Sequence, residues 1–288
     1  MVTQTPAHCP GPSHPLPPAR ALYSRVNDPA PKILIAILAK QKESMLPLDL
    51  RCIEALDYPK SSILVYIRTN CNTDRTRQIL EQWANRMRLS SAAMEIDASD
   101  VMEKVDVFDV HEWNAVRFRV LGHIRNISLL RTLDHGCAYY FAADVDNFIR
   151  PLTLRELVAL SLPIVAPFLR TVEPGMRYSN FHADIDIDGY FRDGPRYNQV
   201  PAQELIGVIE LPVVHCTYLI RADVIPQLNY QDSSGRHEYV VFSESARRNG
   251  VPQYLDNRQV YGYLTFDDGK GAVERAAKLI DVHMENAR

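Results

Sequence analysis

Hydrophobic residues along the chain predict strands and helices in alternation from residue 32 onward. Two continuous apolar runs, residues 33–39 and 63–67, are typical of strands that are buried on both faces. Each run is followed by apolar residues at helical spacing, which predicts an amphipathic helix after each strand. The first helical set is Leu46, Leu50, Ile53 and Leu56, and the second is Ile79, Leu80, Trp83 and Met87.

The same alternation continues through the middle of the chain. Apolar residues at helical spacing over 120–127 predict a third helix, and Gly136 is placed to cap its end. Strands are predicted at residues 139–143 and 164–166, and the helix between them starts at a capping box formed by residues 153–156. This order indicates βαβ units and a mostly parallel sheet, and therefore an α/β fold.

Beyond residue 175 the pattern changes to short aromatic strands separated by turn signals such as Asp188-Gly189. The predicted elements there are a strand at 213–220 and helices at 239–248 and 272–285. We interpret residues 32–170 as a nucleotide-binding half. Residues 171–288 are an α+β extension over the carboxyl ends of the strands, where such folds bind ligands.

Composition and charge argue against several classes of protein. The chain has 288 residues and a net charge of −3, which argues against a nucleic-acid-binding protein. No apolar run is long enough to cross a bilayer, and no secretory signal precedes the first strand. The five cysteines are scattered singly, which favours reduced thiols over disulfides. We therefore expect a soluble, cytoplasmic protein without a membrane span.

Two segments are predicted to lie outside the packed fold. Residues 1–31 are rich in proline and poor in large apolar residues, which predicts a disordered tail ahead of a single domain over residues 32–288. Residues 95–112 are rich in acidic side chains and are interpreted as an acidic loop or a solvated helix face.

One short motif carries candidate chemistry. Motifs of dinucleotide-binding proteins, P-loop NTPases, zincins and α/β-hydrolases are absent from the sequence. Asp144 and Asp146 follow a predicted buried strand, and two carboxylates one residue apart can hold Mn²⁺ or Mg²⁺, which binds a diphosphate. The same D-x-D spacing recurs within residues 184–188, where alternation with Ile predicts the polar face of a hairpin strand. Arg125, in the preceding helix, can reach a phosphate or be a surface residue.

These segments together resemble a known family. Residues 56–59, 69–76, 125–126 and 141–147 occur in the order seen in GT-A glycosyltransferases. More narrowly, the chain resembles the galactosyltransferase domain of collagen galactosyltransferases and their bacterial and viral relatives. The phrases that carry the narrower resemblance are residues 162–167, 178–181, 211–218, 239–243 and 261–263.

The resemblance implies a GT-A fold, a UDP-sugar donor, a divalent cation that is usually Mn²⁺, and transfer of galactose or glucose to a glycan or protein hydroxyl. Asp144 and Asp146 match the family's metal and diphosphate motif. His215 is a third metal ligand or, equally, a core histidine on a strand. Residues placed where such folds hold uracil and ribose are Ala36, Leu38, Ala39, Asn70 and Asp74. For Asp74, a helix N-cap is the alternative.

The acceptor side departs from the family pattern. Where the collagen enzymes carry two aspartates before an apolar helix, this chain has His237 and Glu238. Glu238 is the expected general base of an inverting transfer, and Arg125 assists the leaving UDP. Because the acceptor surroundings differ, the collagen acceptor is not carried over. The alternatives are a non-catalytic sugar-nucleotide or glycan-binding protein, the same fold with GDP-mannose, and retaining stereochemistry.

Overall fold

The computed structural model describes residues 29–99, 101, 112–267 and 269–285. Residues 1–28 of the predicted tail and most of the predicted acidic segment lie outside this part of the chain. No helix within the described part is both long and apolar enough to cross a membrane.

The strands are β1 (Ile33–Ala39), β2 (Ile63–Thr69), β3 (Ala93–Asp97), β4 (Tyr139–Asp144), β5 (Asn147–Ile149), β6 (Ile164–Pro167), β7 (Leu169–Thr171), β8 (Phe181–His182), β9 (Val208–Glu210), β10 (Val213–Val214), β11 (Thr217–Arg221), β12 (Gln253–Asp256) and β13 (Gly262–Leu264). The helices are α1 (Leu46–Glu54), α2 (Thr76–Met87), α3 (Ala115–Asp134), α4 (Thr153–Leu160), α5 (Pro195–Gln199), α6 (Glu238–Arg248) and α7 (Lys270–Glu285).

An eight-stranded sheet in the order β3-β2-β1-β4-β11-β6-β12-β9 forms the centre of the fold. Strands β1 to β4, β6 and β12 run in one direction, whereas β11 and β9 run against their neighbours. The predicted mostly parallel α/β sheet is confirmed. Strands β9, β11 and β12 come from the second half of the chain, so both halves build one sheet.

The alternation of side chains along β1 explains the two packed layers. Ile33, Ile35 and Ile37 face a core that contains α1, α2, α4 and α7. Leu34 and Ala36 face the opposite core, which contains residues of α3 and α6. Because both faces of β1 are covered, the strand reads as a continuous apolar run in the sequence.

The predicted end of α3 is confirmed. Gly136 follows the helix with a φ of +61°, and its N–H donates to the carbonyl of Leu133. The N–H of Cys137 donates to the carbonyl of Thr132 at 3.0 Å. These two bonds form a Schellman motif, in which glycine is favoured because it has no Cβ to strain the left-handed backbone.

The predicted capping box at α4 is wrong. The hydroxyl of Thr153 donates to the carbonyl of Tyr261 at 2.9 Å, and no side chain caps the helix. The carboxylate of Glu156 accepts from Gln259 and from the hydroxyl of Tyr261 instead. Contacts with the distant segment around Tyr261 therefore replace the local capping bonds.

Two predicted strands also differ from the structure. The strand expected at 213–220 is broken into β10 and β11 at Cys216, whose φ is +64°, so His215 lies between strands and not on one. The hairpin strand expected at 184–188 is a turn with a single bridge between Ile185 and Phe191. There the carboxylate of Asp186 accepts from the N–H groups of Asp188 and Tyr190, which curls the backbone.

Gly262 lies in β13, between β5 and β7, where a side chain has no room. A Cβ there would lie 2.4 Å from the carbonyl oxygen of Phe148 and 2.9 Å from Cα of Ile149. We expect Gly262→Ala to lower the free energy of unfolding by about 1–3 kcal/mol, because backbone atoms must shift. Urea unfolding measures this effect. Gly271→Ala in α7, where a Cβ makes only an ordinary contact, is the control and is expected to be neutral or slightly stabilising.

Candidate functional site

The carboxylates of the D-x-D motif lie at the carboxyl edge of the central sheet. Asp144 is the last residue of β4 and pairs in register with Leu38 of β1. Asp146 follows in the tight connection to β5, and its carbonyl accepts from the N–H of Thr265 at 3.1 Å. Both side chains are about a quarter exposed, at 25% and 26%. They are therefore accessible to a ligand at the edge where α/β sheets bind one.

Arg125 connects the D-x-D motif to the start of α6. Its side chain, on α3, is only 6% exposed. One terminal nitrogen donates to both oxygens of Asp144, at 2.8 and 3.2 Å. Its Nε lies 3.5 Å from Oε1 of Glu238, the first residue of α6. The structure thus brings three of the predicted site residues into one network. The alternative prediction, that Arg125 is a surface residue, is wrong.

Three buried tyrosines surround the same guanidinium. The ring of Tyr230 lies 5.9 Å from the guanidinium carbon of Arg125, and the hydroxyls of Tyr230 and Tyr218 share a hydrogen bond. The hydroxyl of Tyr140 is hydrogen-bonded to Ser128 on α3 at 2.9 Å. Burial raises the pKa of each of these tyrosines, so they stay neutral and leave Asp144 and Glu238 as the charges that balance Arg125.

Glu238 is buried and ionised. Burial acts to raise its pKa, but a hydrogen bond from His237 and the positive charge of Arg125 outweigh this effect and lower the pKa. Nδ1 of His237 lies 2.5 Å from Oε2 of Glu238. The position at the N-terminus of α6 also favours a negative charge. A carboxylate that is ionised at neutral pH is therefore held beside the D-x-D motif.

A third carboxyl group lies near the D-x-D motif. Asp49 on α1 is 1% exposed, and neither of its oxygens has a hydrogen-bond partner within the described part of the chain. Burial, and then repulsion by Asp146 and Asp144, raise its pKa well above the ordinary value. Nζ of Lys42 lies 3.6 Å from Oδ2 of Asp146 on the exposed side. Three carboxyl groups therefore lie near one another at this edge of the sheet, and the buried one is kept protonated.

These residues fit a hard divalent cation. Carboxylate oxygens are the ligands that Mn²⁺ and Mg²⁺ prefer, and Asp144 and Asp146 present four of them at an accessible edge. The buried Asp49 supports this fit, because an added cation would oppose the repulsion by Asp146 and Asp144 that, after burial, keeps that carboxyl protonated. As the side chains stand, no group of three His, Cys, Asp or Glu residues within the described ranges is close enough to hold a metal ion.

His215, the third predicted ligand, belongs to a neighbouring cluster of aromatic rings. Its Nδ1 lies 2.9 Å from the sulfur of Cys216, and its buried Nε2 has no hydrogen-bond partner within the described residues. Ring centroids of Tyr239 and His182 lie 5.0 and 5.2 Å away. Burial, followed by repulsion from His182 and His237, lowers the pKa of His215 well below its usual value. The ring is therefore neutral and chemically able to bind a metal, and its assignment as a ligand stays a prediction.

Some of the residues predicted to hold uracil and ribose lie at the edge of the sheet, and one lies in the core. Leu38 and Ala39 end β1 at the edge of the sheet, and Asn70 is buried directly after β2. Ala36 lies three residues deeper in β1, within the core.

Asp74 has structural partners. Its carboxylate accepts from the N–H of Glu43 and from the N–H and hydroxyl of Thr76. These contacts tie the start of α2 to the loop after β1. Asp74 therefore orders the turn, and a role in donor binding stays a prediction.

Two charged residues of this edge were not anticipated from the sequence. Asp49 could have been found, because it lies three residues after Leu46 and four before Ile53, on the apolar stripe of α1. An acidic side chain on such a stripe indicates an unusual environment. Lys42 has no such signal, since it lies in the polar turn between β1 and α1.

Comparison with known protein sequences gives a match over most of the chain. The family described as "Glycosyltransferase family 25, N-terminal domain" matches residues 30–281. Procollagen galactosyltransferase 2 of Homo sapiens is 33% identical over 244 residues, which is 82% of this chain and 38% of that relative. Inactive glycosyltransferase 25 family member 3 of Homo sapiens is 29% identical over 252 residues, which is 82% of this chain and 41% of the relative. The chain spans about two fifths of the length of these relatives.

A solved structure supports the fold. The crystal structure of S. aureus TarS 1-349 in complex with UDP superposes with a TM-score of 0.53 and 15% identity. It covers 86% of this chain and 64% of that one. The expected GT-A fold is confirmed.

Replacement of Asp49 tests the charge at this edge. In the unfolded chain Asp49 loses its proton near pH 3.9, whereas the folded protein keeps the proton up to the raised pKa. Between these values the folded state binds one more proton, so this group reduces stability by up to about 1.4 kcal/mol per pH unit as the pH rises. Asp49→Asn lacks this penalty and is expected to be more stable than the wild type at pH 8, by more than at pH 4.

Urea unfolding at several pH values measures the difference. The exposed Asp193 provides the matched control, and Asp193→Asn is expected to follow the wild type at every pH. A constant difference between Asp49→Asn and the wild type from pH 4 to 8 would show that Asp49 is not held protonated by its surroundings.

Proposed function

The chain belongs to glycosyltransferase family 25, and from this premise we propose that it transfers a hexose from a UDP-sugar to a hydroxyl group of a glycan or protein. The observation that carries the proposal is Arg125, which contacts both Asp144 of the D-x-D motif and the buried carboxylate of Glu238. The guanidinium of Arg125 therefore lies between a donor-side and an acceptor-side group. A direct transfer between two substrates requires such groups to be close together.

The donor binds at the carboxyl edge of the sheet in this proposal. Asp144 and Asp146 hold Mn²⁺ or Mg²⁺, and His215 is a further candidate ligand. The cation supplies positive charge to the diphosphate of the donor. Leu38, Ala39 and Asn70 lie where the nucleoside would be placed. The complex of S. aureus TarS with UDP supports a uridine nucleotide as the first ligand to test.

Arg125 and Lys42 supply the remaining positive charge on the donor side. Arg125 already contacts Asp144, and Nζ of Lys42 lies 3.6 Å from Asp146. As the bond between the sugar and the diphosphate breaks, negative charge grows on the leaving UDP. A cation fixed in advance stabilises that charge without reorganisation, which is the usual source of a large rate gain.

Glu238 supplies the negative charge that favours removal of the proton from the acceptor hydroxyl. It is ionised at neutral pH and is fixed by Arg125 and His237 before any substrate binds. Attack of the acceptor oxygen on the face of the sugar opposite the diphosphate inverts the anomeric centre, and a single carboxylate on the acceptor side suffices for that geometry. Since the family resemblance implies an aspartate where this chain has His237, we do not assign collagen as the acceptor.

Donor binding is tested by a thermal-shift titration with UDP, Mn²⁺ and both together. Because a ligand that binds only the folded state raises the melting temperature, we expect UDP with Mn²⁺ to raise it more than UDP alone. Asp146→Ala is expected to abolish the part of the shift that requires Mn²⁺. Asp188→Ala, from the other D-x-D segment, removes an exposed carboxylate and is expected to shift like the wild type.

Two results would contradict this assignment. A Mn²⁺-dependent shift that survives in Asp146→Ala would remove the D-x-D motif from the donor site. No shift with UDP, together with a shift caused by GDP, would replace the uridine nucleotide as the donor.

Turnover is tested by release of UDP from UDP-galactose and UDP-glucose, with water as the acceptor. Glu238→Gln keeps the shape of the side chain and removes its charge, and we expect kcat to fall about 10²–10⁴-fold with little change in KM for the donor. Glu244→Gln, two turns along the same helix, is the control and is expected to keep full turnover. A wild-type protein that binds UDP with Mn²⁺ but releases none from either sugar would favour a binding protein over an enzyme.

A further inference from the structure

His237 lies between the buried carboxylate of Glu238 and the solvent. The side chain of Glu238 is 4% exposed, whereas that of His237 is 20% exposed. His237 is the last residue before α6, and Glu238 is the first residue within it. A substrate that approaches this pair from outside therefore meets the imidazole ring before the carboxylate.

Each oxygen of Glu238 has a close neighbour, and the contact with His237 is a hydrogen bond. Oε1 lies 3.5 Å from Nε of Arg125, and Oε2 lies 2.5 Å from Nδ1 of His237. A direct role of Glu238 as base would require one of these contacts to break. Loss of either contact would weaken the compensation of a buried charge, which is costly.

The same contacts fix the proton on the imidazole. An ionised carboxylate only accepts hydrogen bonds, so Nδ1 of His237 carries the hydrogen that lies between the two groups. In the neutral ring the lone pair is then on Nε2. No residue within the described ranges forms a hydrogen bond with Nε2, so this atom is available to a substrate hydroxyl.

Aromatic neighbours hold the ring in place. The ring centroid of Phe118 lies 4.2 Å from that of His237, and those of Tyr239 and Trp113 lie at 4.5 and 5.3 Å. The backbone N–H of His237 donates to the hydroxyl of Tyr190 at 3.1 Å. With its plane packed between rings and Nδ1 bonded to Glu238, the imidazole has one orientation, as a catalytic base requires.

We propose that Nε2 of His237 takes the proton of the acceptor hydroxyl, and that Glu238 acts through His237 by orienting the ring and balancing the charge of the imidazolium. This inference rests on the proposed transferase function and names the atom that performs its proton transfer. His237 is the catalytic residue of the pair, and Glu238 is a positioning residue.

The acceptor O–H bond breaks and its proton moves to Nε2, while the acceptor oxygen forms a bond to the anomeric carbon. The bond between that carbon and the diphosphate oxygen breaks, and UDP leaves with the electron pair. The imidazolium and the carboxylate then form an ion pair, as in other catalytic pairs of histidine and carboxylate.

The groups around the ring leave Glu238 as its main charged neighbour. Burial lowers the pKa of His182 to about 4 and lowers that of His215 as well, so both are neutral at pH 7. Tyr239 is neutral because burial raises its pKa. Arg236, the preceding residue, is paired with Asp232 and Glu244.

His237→Asn tests the proposal, because the amide of Asn can keep the hydrogen bond to Glu238 but cannot take a proton. Release of UDP from UDP-galactose is measured between pH 5 and 9. We expect the wild type to lose activity toward acid pH as Nε2 becomes protonated. In His237→Asn we expect kcat about 10²–10⁴-fold lower without that acidic limb, and a donor KM close to the wild type.

Two further variants separate catalysis from structure. His237→Ala leaves an imidazole-sized space beside Phe118, and added imidazole is expected to restore part of its turnover. His123→Asn replaces an exposed histidine on α3 and is expected to keep the wild-type rate and pH profile. A His237→Asn variant within about threefold of the wild type, with the same acidic limb, would overturn the proposal and leave Glu238 as the direct base.

An NMR measurement tests the proposal without turnover. With ¹⁵N-labelled histidine at pH 8, we expect His237 to show the Nδ1–H tautomer, with a low-field proton that is lost in Glu238→Gln. An Nε2–H tautomer in the wild type would overturn the proposal. Failure of UDP and Mn²⁺ to bind in the thermal-shift titration would instead remove the transferase function while leaving this tautomer unchanged, so the two failures are distinguishable.

Discussion

A buried positive charge, the guanidinium of Arg125, is the constraint on which the rest of the site depends. A charge that is 6% exposed must have partners, because isolation from water costs several kcal/mol. The partners come from distant parts of the chain: Asp144 ends β4, and Glu238 begins α6. Loss of one partner of such a pair typically costs about 3–5 kcal/mol, so the fold and the site are held by the same contacts.

The topology of the sheet explains how these parts meet. Strand β11 is inserted, antiparallel, between β4 and β6, so a strand from the second half of the chain lies beside the D-x-D strand. Tyr218 on β11 then reaches the tyrosine cluster around Arg125 and stacks on Phe242 of α6 at 5.4 Å between centroids. Helix α6 is thereby packed against the sheet with Glu238 toward Arg125. The acceptor-side helix is positioned by the sheet and not by a separate domain.

The sequence predicted the parts of this fold that depend on burial and local geometry. Buried strands gave apolar runs, α1 to α3 gave helical spacing, and Gly136 ended α3, since each signal comes from a few adjacent residues. The break at Cys216, the bonds from Thr153 to Tyr261 and the pairing of Arg125 with Glu238 were not predictable, because each depends on contacts between distant segments. Asp144 was found from its position after a predicted buried strand and Glu238 through family resemblance, whereas their connection through Arg125 required the structure.

The substitution at 237 bears on whether this member of the family is active. An aspartate there would place a second negative charge beside Glu238, and the pair could keep a shared proton only by raising one pKa. Histidine removes that repulsion and lowers the pKa of Glu238 instead, so the carboxylate stays ionised and bonded to Arg125. The buried pair of Arg125 and Glu238 would be kept for stability in an active and an inactive protein alike, whereas the imidazole of His237, which is 20% exposed, is not needed to balance Arg125. Under the proposed function, the histidine at 237 is therefore better explained as a changed route for the acceptor proton than as loss of the reaction.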